Sequence, residues 1–304
     1  MEKILFEIGT EELPANYMPN IIKELQALAL KKLEDARIPH TEVKVWGTPR
    51  RLALLVDGVE ETQADSTEEY KGPSAAIAYK DGEPTRAAQG FARGKGLDVT
   101  DLTLRDGYVY AVKHTKGQAT AALLPALLED ILHNIPFPNH MRWGDFDFRF
   151  LRPIRWLTAL FGDQVVPVAV TDIQSDRWTM GHRFLSNQQV SLANAATYET
   201  ELEKHFVIVD QDKRRELIRR QITELAEAEG GKIEIAPDLL EEVNYLVEYP
   251  TPLCGRFEEK YLTLPEAAVI TPMRDHQRYF PVRGKDGKLL NKFIAVRNGG
   301  KAFL

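Results

Sequence analysis

The first sixty residues switch between strand and helix periodicity in an order that few architectures accommodate. KILFEIG (3–9) is an apolar run of strand length. From Ile21 to Ala36, apolar residues recur at 21, 22, 25, 28, 29 and 33, close to the helical repeat, and Pro39 stops the run. VKVWG (43–47) and RLALLVDGV (51–59) read as two strands joined through Thr48-Pro49. A β-α-β-β opening with a hairpin return departs from the strict alternation of a doubly wound parallel sheet.

The rest of the chain keeps that irregular habit. Helices are predicted over 85–94, 119–132, 191–205, 213–229, 237–249 and 264–278. Strands are predicted at GYVYAVKHT (107–115), twice within PIRWLTALFGDQVVPVAV (153–170), at FVIVD (206–210), and as a hairpin over 280–297 turning at Lys285-Asp286-Gly287. The expected class is α+β, with mixed or antiparallel sheets and packed helices. Three units are expected: 1–65, 66–190 and 191–304, packing as one or two domains. The single cysteine, Cys254, excludes an internal disulfide framework and fits a reducing, cytoplasmic compartment. No apolar run approaches the ~18–20 residues of a membrane helix. Glu7, Glu11 and Glu12 interrupt any signal-peptide core. The strand-like ending KFIAVRN runs into GGKAFL, which suggests a piece of a longer chain.

Charge is unevenly placed. The chain carries −6 overall, yet residues 271–304 hold eight Lys/Arg against two acids, leaving −12 for residues 1–270. Between Met141 and Asn187 lie six arginines and no lysine, within an aromatic-rich stretch that also holds five aspartates. Arginine suits bidentate phosphate contacts and stacking, but it also ties loops to carboxylates. TPMRDHQRYFPV (271–282) is the densest cluster. On a helix Arg274 and Arg278 share a face beside Tyr279, and the pair can grip phosphates or bond acids such as Glu241, Glu242 or Glu248.

Several catalytic signatures fail. GFARGKG (90–96) has the wrong glycine spacing for a phosphate loop and lacks Ser or Thr after its lysine, so it reads as a glycine-capped helix end. No G-x-S-x-G elbow is present. The seven histidines form no H-x-x-x-H or H-E-x-x-H pair, and no metal site is expected. His182 and His276 read first as hydrogen-bonded structural histidines, and Glu11-Glu12 as a favourable charge near a helix N-terminus.

EIGTEELP (7–14), TPRRLAL (48–54), GFARGKG (90–96), MRWG (141–144), FLRPIRWL (150–157), TMGHRF (179–184), EYPTPLCGRF (248–257) and MRDHQRYF (273–280) occur in that order. Together they resemble the N-terminal part of the β subunit of bacterial heterotetrameric glycyl-tRNA synthetases. The resemblance implies an α2β2 ligase that joins glycine to tRNA(Gly), with ATP and Mg used on the α subunit and no cofactor or catalytic residue in this region. It implies an N-terminal fold similar to the B3/B4-type domain of phenylalanyl-tRNA synthetases. With the charge distribution, it implies tRNA contacts at Arg50, Arg51, Arg142, Arg152, Arg155, Arg183, Arg274, His276, Gln277 and Arg278. Two rival readings are an editing hydrolase, tested first at His182, His276 and Glu11, and a scaffold that touches no RNA.

Overall fold

The computed structural model describes residues 1–300. β1 (Glu2–Thr10) lies at the centre of the largest sheet. α1 (Met18–Asp35) follows, with Pro19 in its first turn, where a missing N–H is harmless. β2 (Glu42–Thr48) and β3 (Arg51–Val59) form the predicted hairpin, Thr48 opposite Arg51. A small lobe comes next: β4 (Ser66–Ser74), α2 (Arg86–Gly94), β5 (Leu102–Arg105) and β6 (Tyr108–Thr115), the strands pairing in the order β4-β6-β5. α3 (Thr120–Asn134) returns the chain to the body, where β7 (Ile154–Phe161) pairs antiparallel with β1 and β8 (Ile173–Asp176) pairs parallel with β7. The central order is thus β8-β7-β1-β3-β2, a mixed sheet in an α+β protein.

Both faces of that sheet are covered, which is why its strands read as nearly continuous apolar runs. Ile4, Phe6 and Ile8 of β1 pack with Ile21, Leu25 and Leu33 of α1 and Leu124 and Leu128 of α3. Leu5, Ala53, Leu55 and Leu160 face the other way, under Leu192, Tyr198, Leu202, Val207 and Val209. On this second face β1 also presents Glu7 and Gly9, because successive side chains alternate.

The last third adds α4 (Tyr198–Lys204), α5 (Gln211–Ala228) and α6 (Pro237–Asn244), then β9 (Pro250–Arg256), β10 (Phe280–Arg283) and β11 (Leu289–Asn298). Its four-stranded sheet runs 232–233, β10, β11, β9, and packs on Ile218 and Ile222 of α5. Arg214 of α5 ties this unit to the body. It is fully buried and donates to Gly47 O at 2.8 Å and Asn244 O at 2.9 Å. Burial pulls its guanidinium down to about 10.

Within the segment expected over 66–190, residues 66–115 form the lobe, while 154–176 join the central sheet. Four expectations of secondary structure are corrected. FVIVD is not a strand; Val207 and Val209 are buried, and Ile208 N–H donates to Glu248 O at 2.9 Å instead of to a ladder. The helices expected over 191–205 and 237–249 are shorter, covering 198–204 and 237–244. The helix expected over 264–278 breaks into Glu266–Thr271 and a π-helical turn at Pro272–His276, since Pro272 has no N–H to donate.

Candidate nucleic-acid interface

Gly9, Arg51 and Trp156 lie side by side in register on the second face of the sheet. A Cβ on Gly9 would fall inside the Trp156 indole, so glycine is what lets the ring lie across the strands. The guanidinium carbons of Arg50 and Arg51 each sit 5.5 Å from the Trp156 ring centroid. Below them, Glu7 accepts hydrogen bonds from Trp156 Nε1, the Tyr198 hydroxyl and Thr179 Oγ1, the last at 2.5 Å. Arg51 spans two carboxylates: Nη1 is 3.4 Å from Glu7 and Nε is 3.0 Å from Glu248. Nη1 also donates to Met180 O at 2.9 Å. Glu7, Arg51 and Glu248 are all 0% exposed.

Burial alone would raise the Glu248 carboxyl. Arg51, the Thr48 hydroxyl at 2.8 Å and Arg50 outweigh it and hold the group below the ordinary carboxylate range. Burial, then the Glu7 charge, drives the Tyr198 hydroxyl well above its usual value, so it stays a hydrogen-bond donor. His182 accepts from the N–H groups of Phe184 and Leu185 at Nδ1, each at 3.2 Å, and Nε2 meets Asn298 Oδ1 at 2.8 Å. These partners assign the proton to Nε2 of a neutral ring. Asn298 Oδ1 also accepts from the N–H groups of Glu248, at 2.8 Å, and Tyr249, at 3.2 Å. His182 is therefore a structural histidine, as its sequence setting suggested.

A cleft of about 300 Å³ opens above this centre, lined by Arg50, Arg155, Arg183, Trp156, Trp178 and Glu11 among others. Arg50 is partly buried, and desolvation lowers its pKa. Its Nε and Nη1 have no protein partner. Arg155 faces Glu11 and Arg183 faces Glu12, each at 3.3 Å. All four of those side chains are solvent-exposed to a substantial degree, so the pairs contribute only about 0–1 kcal/mol each and can be exchanged for phosphate. Phe184, 73% exposed, stands beside Arg183, whose guanidinium carbon is 5.9 Å from its ring centroid. Glu11-Glu12 thus answers these arginines and not a helix N-terminus.

The expected arginines do not all converge. Arg50, Arg155 and Arg183 meet at the cleft. Arg51 is withdrawn into the core between two carboxylates, where no polyanion reaches it. Arg142 is on an exposed loop facing Asp147 at 3.4 Å, and Arg152 donates to Leu151 O at 2.9 Å. Arg274 pairs with Asp238 at 2.6 Å and Arg278 with Glu242 at 2.8 Å, on the first and second turns of α6. His276 and Gln277 are exposed at the π-helical turn. Among the described residues, no three His, Cys, Asp or Glu side chains come together as a metal set. Sequence reasoning missed Glu7, Trp156, Glu248 and Asn298; the one signal for Glu7 was a carboxylate in the middle of an apolar strand.

The sequence model described as "Glycyl-tRNA synthetase beta subunit" matches residues 4–303. The chain belongs to that family. Relatives named glycine–tRNA ligase beta subunit include one from Moorella thermoacetica, 48% identical across 97% of this chain and 43% of its own length. Another, from Desulforamulus reducens, is 46% identical across 99% of this chain and 44% of its own length. A third, from Halothermothrix orenii, is 48% identical across 97% and 43%. The chain therefore spans less than half the length of the curated relatives it matches. Five of the eight motifs that carried the resemblance supply the centre or the cleft: Glu7 and Gly9, Thr48 to Arg51, Arg155 and Trp156, Thr179 to Arg183, and Glu248. No described helix is long and apolar enough to cross a membrane.

Proposed function

We propose that this chain is the tRNA-handling and assembly portion of a glycine–tRNA ligase β subunit. In this reading it works in an α2β2 complex whose α subunit uses ATP and Mg to activate glycine. The chain supplies phosphate contacts to tRNA(Gly) and holds no cofactor of its own. The central sheet, flanked by helices on one face and a helical segment on the other, supports likeness to B3/B4-type domains.

The observation that carries the proposal is the cleft of Arg50, Arg155 and Arg183. Two of its guanidiniums, those of Arg155 and Arg183, are held only by exposed carboxylates, while Nε and Nη1 of Arg50 are buried without a partner, so Arg50 adds charge behind them. The two exposed arginines offer charge and donors to a phosphate at little desolvation cost. An editing reaction is less well supported. His182 has both ring nitrogens engaged, Glu11 faces Arg155, and His276 does not line the cleft.

The test uses the full-length β subunit with its α subunit. tRNA(Gly) affinity is measured against salt for the wild type and for Arg155→Ala with Arg183→Ala, alongside glycylation rates. The proposal expects a weaker affinity, a shallower salt slope and a raised KM for tRNA in the double variant. Unchanged affinity and slope would refute it and favour the scaffold reading.

A further inference from the structure

The lobe leaves and rejoins the body at one place. Thr62 bridges Ala119, and Gln63 N–H donates to Gln118 O at 2.8 Å. The two faces of its three-stranded sheet are unlike. In the ladder Lys71 lies opposite Tyr110, Tyr110 opposite Thr103, Arg105 opposite Tyr108, and Thr67 opposite His114. Residues directly opposite one another share a face. Val109 and Ala111 point the other way and are buried, Val109 in a cluster with Ala78 and Ala88. The face holding the tyrosines has no covering element: Lys71, Arg105, Tyr108 and His114 are all exposed.

A solvated face of an antiparallel sheet is normally polar. This one carries two tyrosines, each with a cation layered on its ring. Lys71 Nζ is 3.6 Å from the Tyr108 centroid, and the Arg105 guanidinium carbon is 4.2 Å from that of Tyr110. Glu69, on the same face, is bonded by Arg105, so Lys71 is left uncompensated among the ladder charges. The composition is wrong for a protein partner, because interface centres are apolar and depleted of charge, and only Val112 is aliphatic here. It suits unpaired nucleotides, whose bases stack on aromatic rings and guanidinium planes while cations meet the phosphates. Tyr108 and Tyr110 are two residues apart on β6, about 7 Å along the strand, which places two stacking rings in succession.

We propose that this bare face of the lobe binds a single-stranded stretch of RNA, with bases stacked at Tyr108 and Tyr110 and phosphates met by Lys71 and Arg105. The inference rests on the tRNA-handling reading and adds a second, separate site to it.

The experiment uses the complete α–β complex and a short fluorescein-labelled RNA without secondary structure, with intact tRNA(Gly) in parallel. Tyr108→Ala or Tyr110→Ala should weaken the short RNA about tenfold each, while Tyr108→Phe and Tyr110→Phe, which keep the rings, should stay within about twofold. Arg155→Ala with Arg183→Ala should weaken tRNA and leave the short RNA unchanged, so the two sites fail separately. A wild-type complex that does not bind the short RNA overturns the proposal, as does an alanine variant that binds it normally. If the alanine variants instead release the α subunit in sedimentation and leave RNA affinity intact, the face is a subunit contact and the proposal is overturned.

Discussion

Replacing Arg51 with methionine keeps most of the side-chain volume and removes the guanidinium that bridges Glu7 and Glu248. Both carboxylates are 0% exposed and cannot recover their hydration. Arg51 also donates to Met180 O at 2.9 Å, and that acceptor is lost too. Removing one partner of a buried ion pair costs about 3–5 kcal/mol, because the remaining charge is stranded. For a chain of this size that is a fall of roughly 5–8 °C in melting temperature. The pH dependence gives the sharper test. In the native protein Glu248 is held below the ordinary carboxylate range. The wild type therefore has this contribution in full above about pH 4.5 and loses it as pH falls through the folded value. Without Arg51, burial dominates and Glu248 is raised. The variant then takes up a proton on folding at milder acidity, and its deficit against wild type narrows between pH 7 and pH 5. Adding Glu248→Gln to Arg51→Met should recover part of the deficit at pH 7. Calorimetry across that range decides. A melting point within about 2 °C of wild type, or a deficit independent of pH, would refute the view that a stranded charge sets the cost.

Gly9→Ala should destabilise by about 1–3 kcal/mol and perturb tryptophan fluorescence, since Trp156 must leave its place across β1; a native-like emission spectrum and denaturation midpoint would contradict this. Asn298→Ala removes the acceptor shared by His182 and the N–H groups of Glu248 and Tyr249, and should cost about 1–3 kcal/mol in urea denaturation with the slope unchanged. Arg155→Ala with Arg183→Ala should reduce the slope of log K against log[salt] for tRNA by about 1–2, read from binding isotherms at several salt concentrations, without lowering the melting temperature by more than a degree or so.

Local periodicity located most elements. The helix at 21–36, the strands on either side of it, those at 51–59 and 107–115, and the hairpin at 280–297 all show in local periodicity, although β1 is completed by β7 from much later in the chain. The failures have tertiary causes. FVIVD has strand composition, but Val207 and Val209 fill the second face of the central sheet and the ladder has no vacancy for them. The arginine stretch was visible as a charge pattern, yet only folding decided which guanidiniums faced a carboxylate. Arg50 and Arg51 are adjacent, but Arg50 lies in the hairpin turn and lines the cleft, while Arg51 begins β3 and points into the core. Arg274 and Arg278 share a spacing that suits phosphate as well as it suits the acids of α6, and the acids were nearer. Glu248 could not be paired with Arg51 in advance, because 197 residues separate them.

The neck at Thr62 and Ala119 sets how the lobe relates to the rest of the chain. Gly117 passes so close to Gln63 O that no larger residue fits, and Gln63 Nε2 fastens the entry to Ala36 O at 2.6 Å. Entry and exit points are adjoining, so the lobe is a closed excursion whose removal would sever no strand of the central sheet. Such an appendage can be lengthened, trimmed or exchanged between lineages while the carboxylate–guanidinium centre beneath stays as it is.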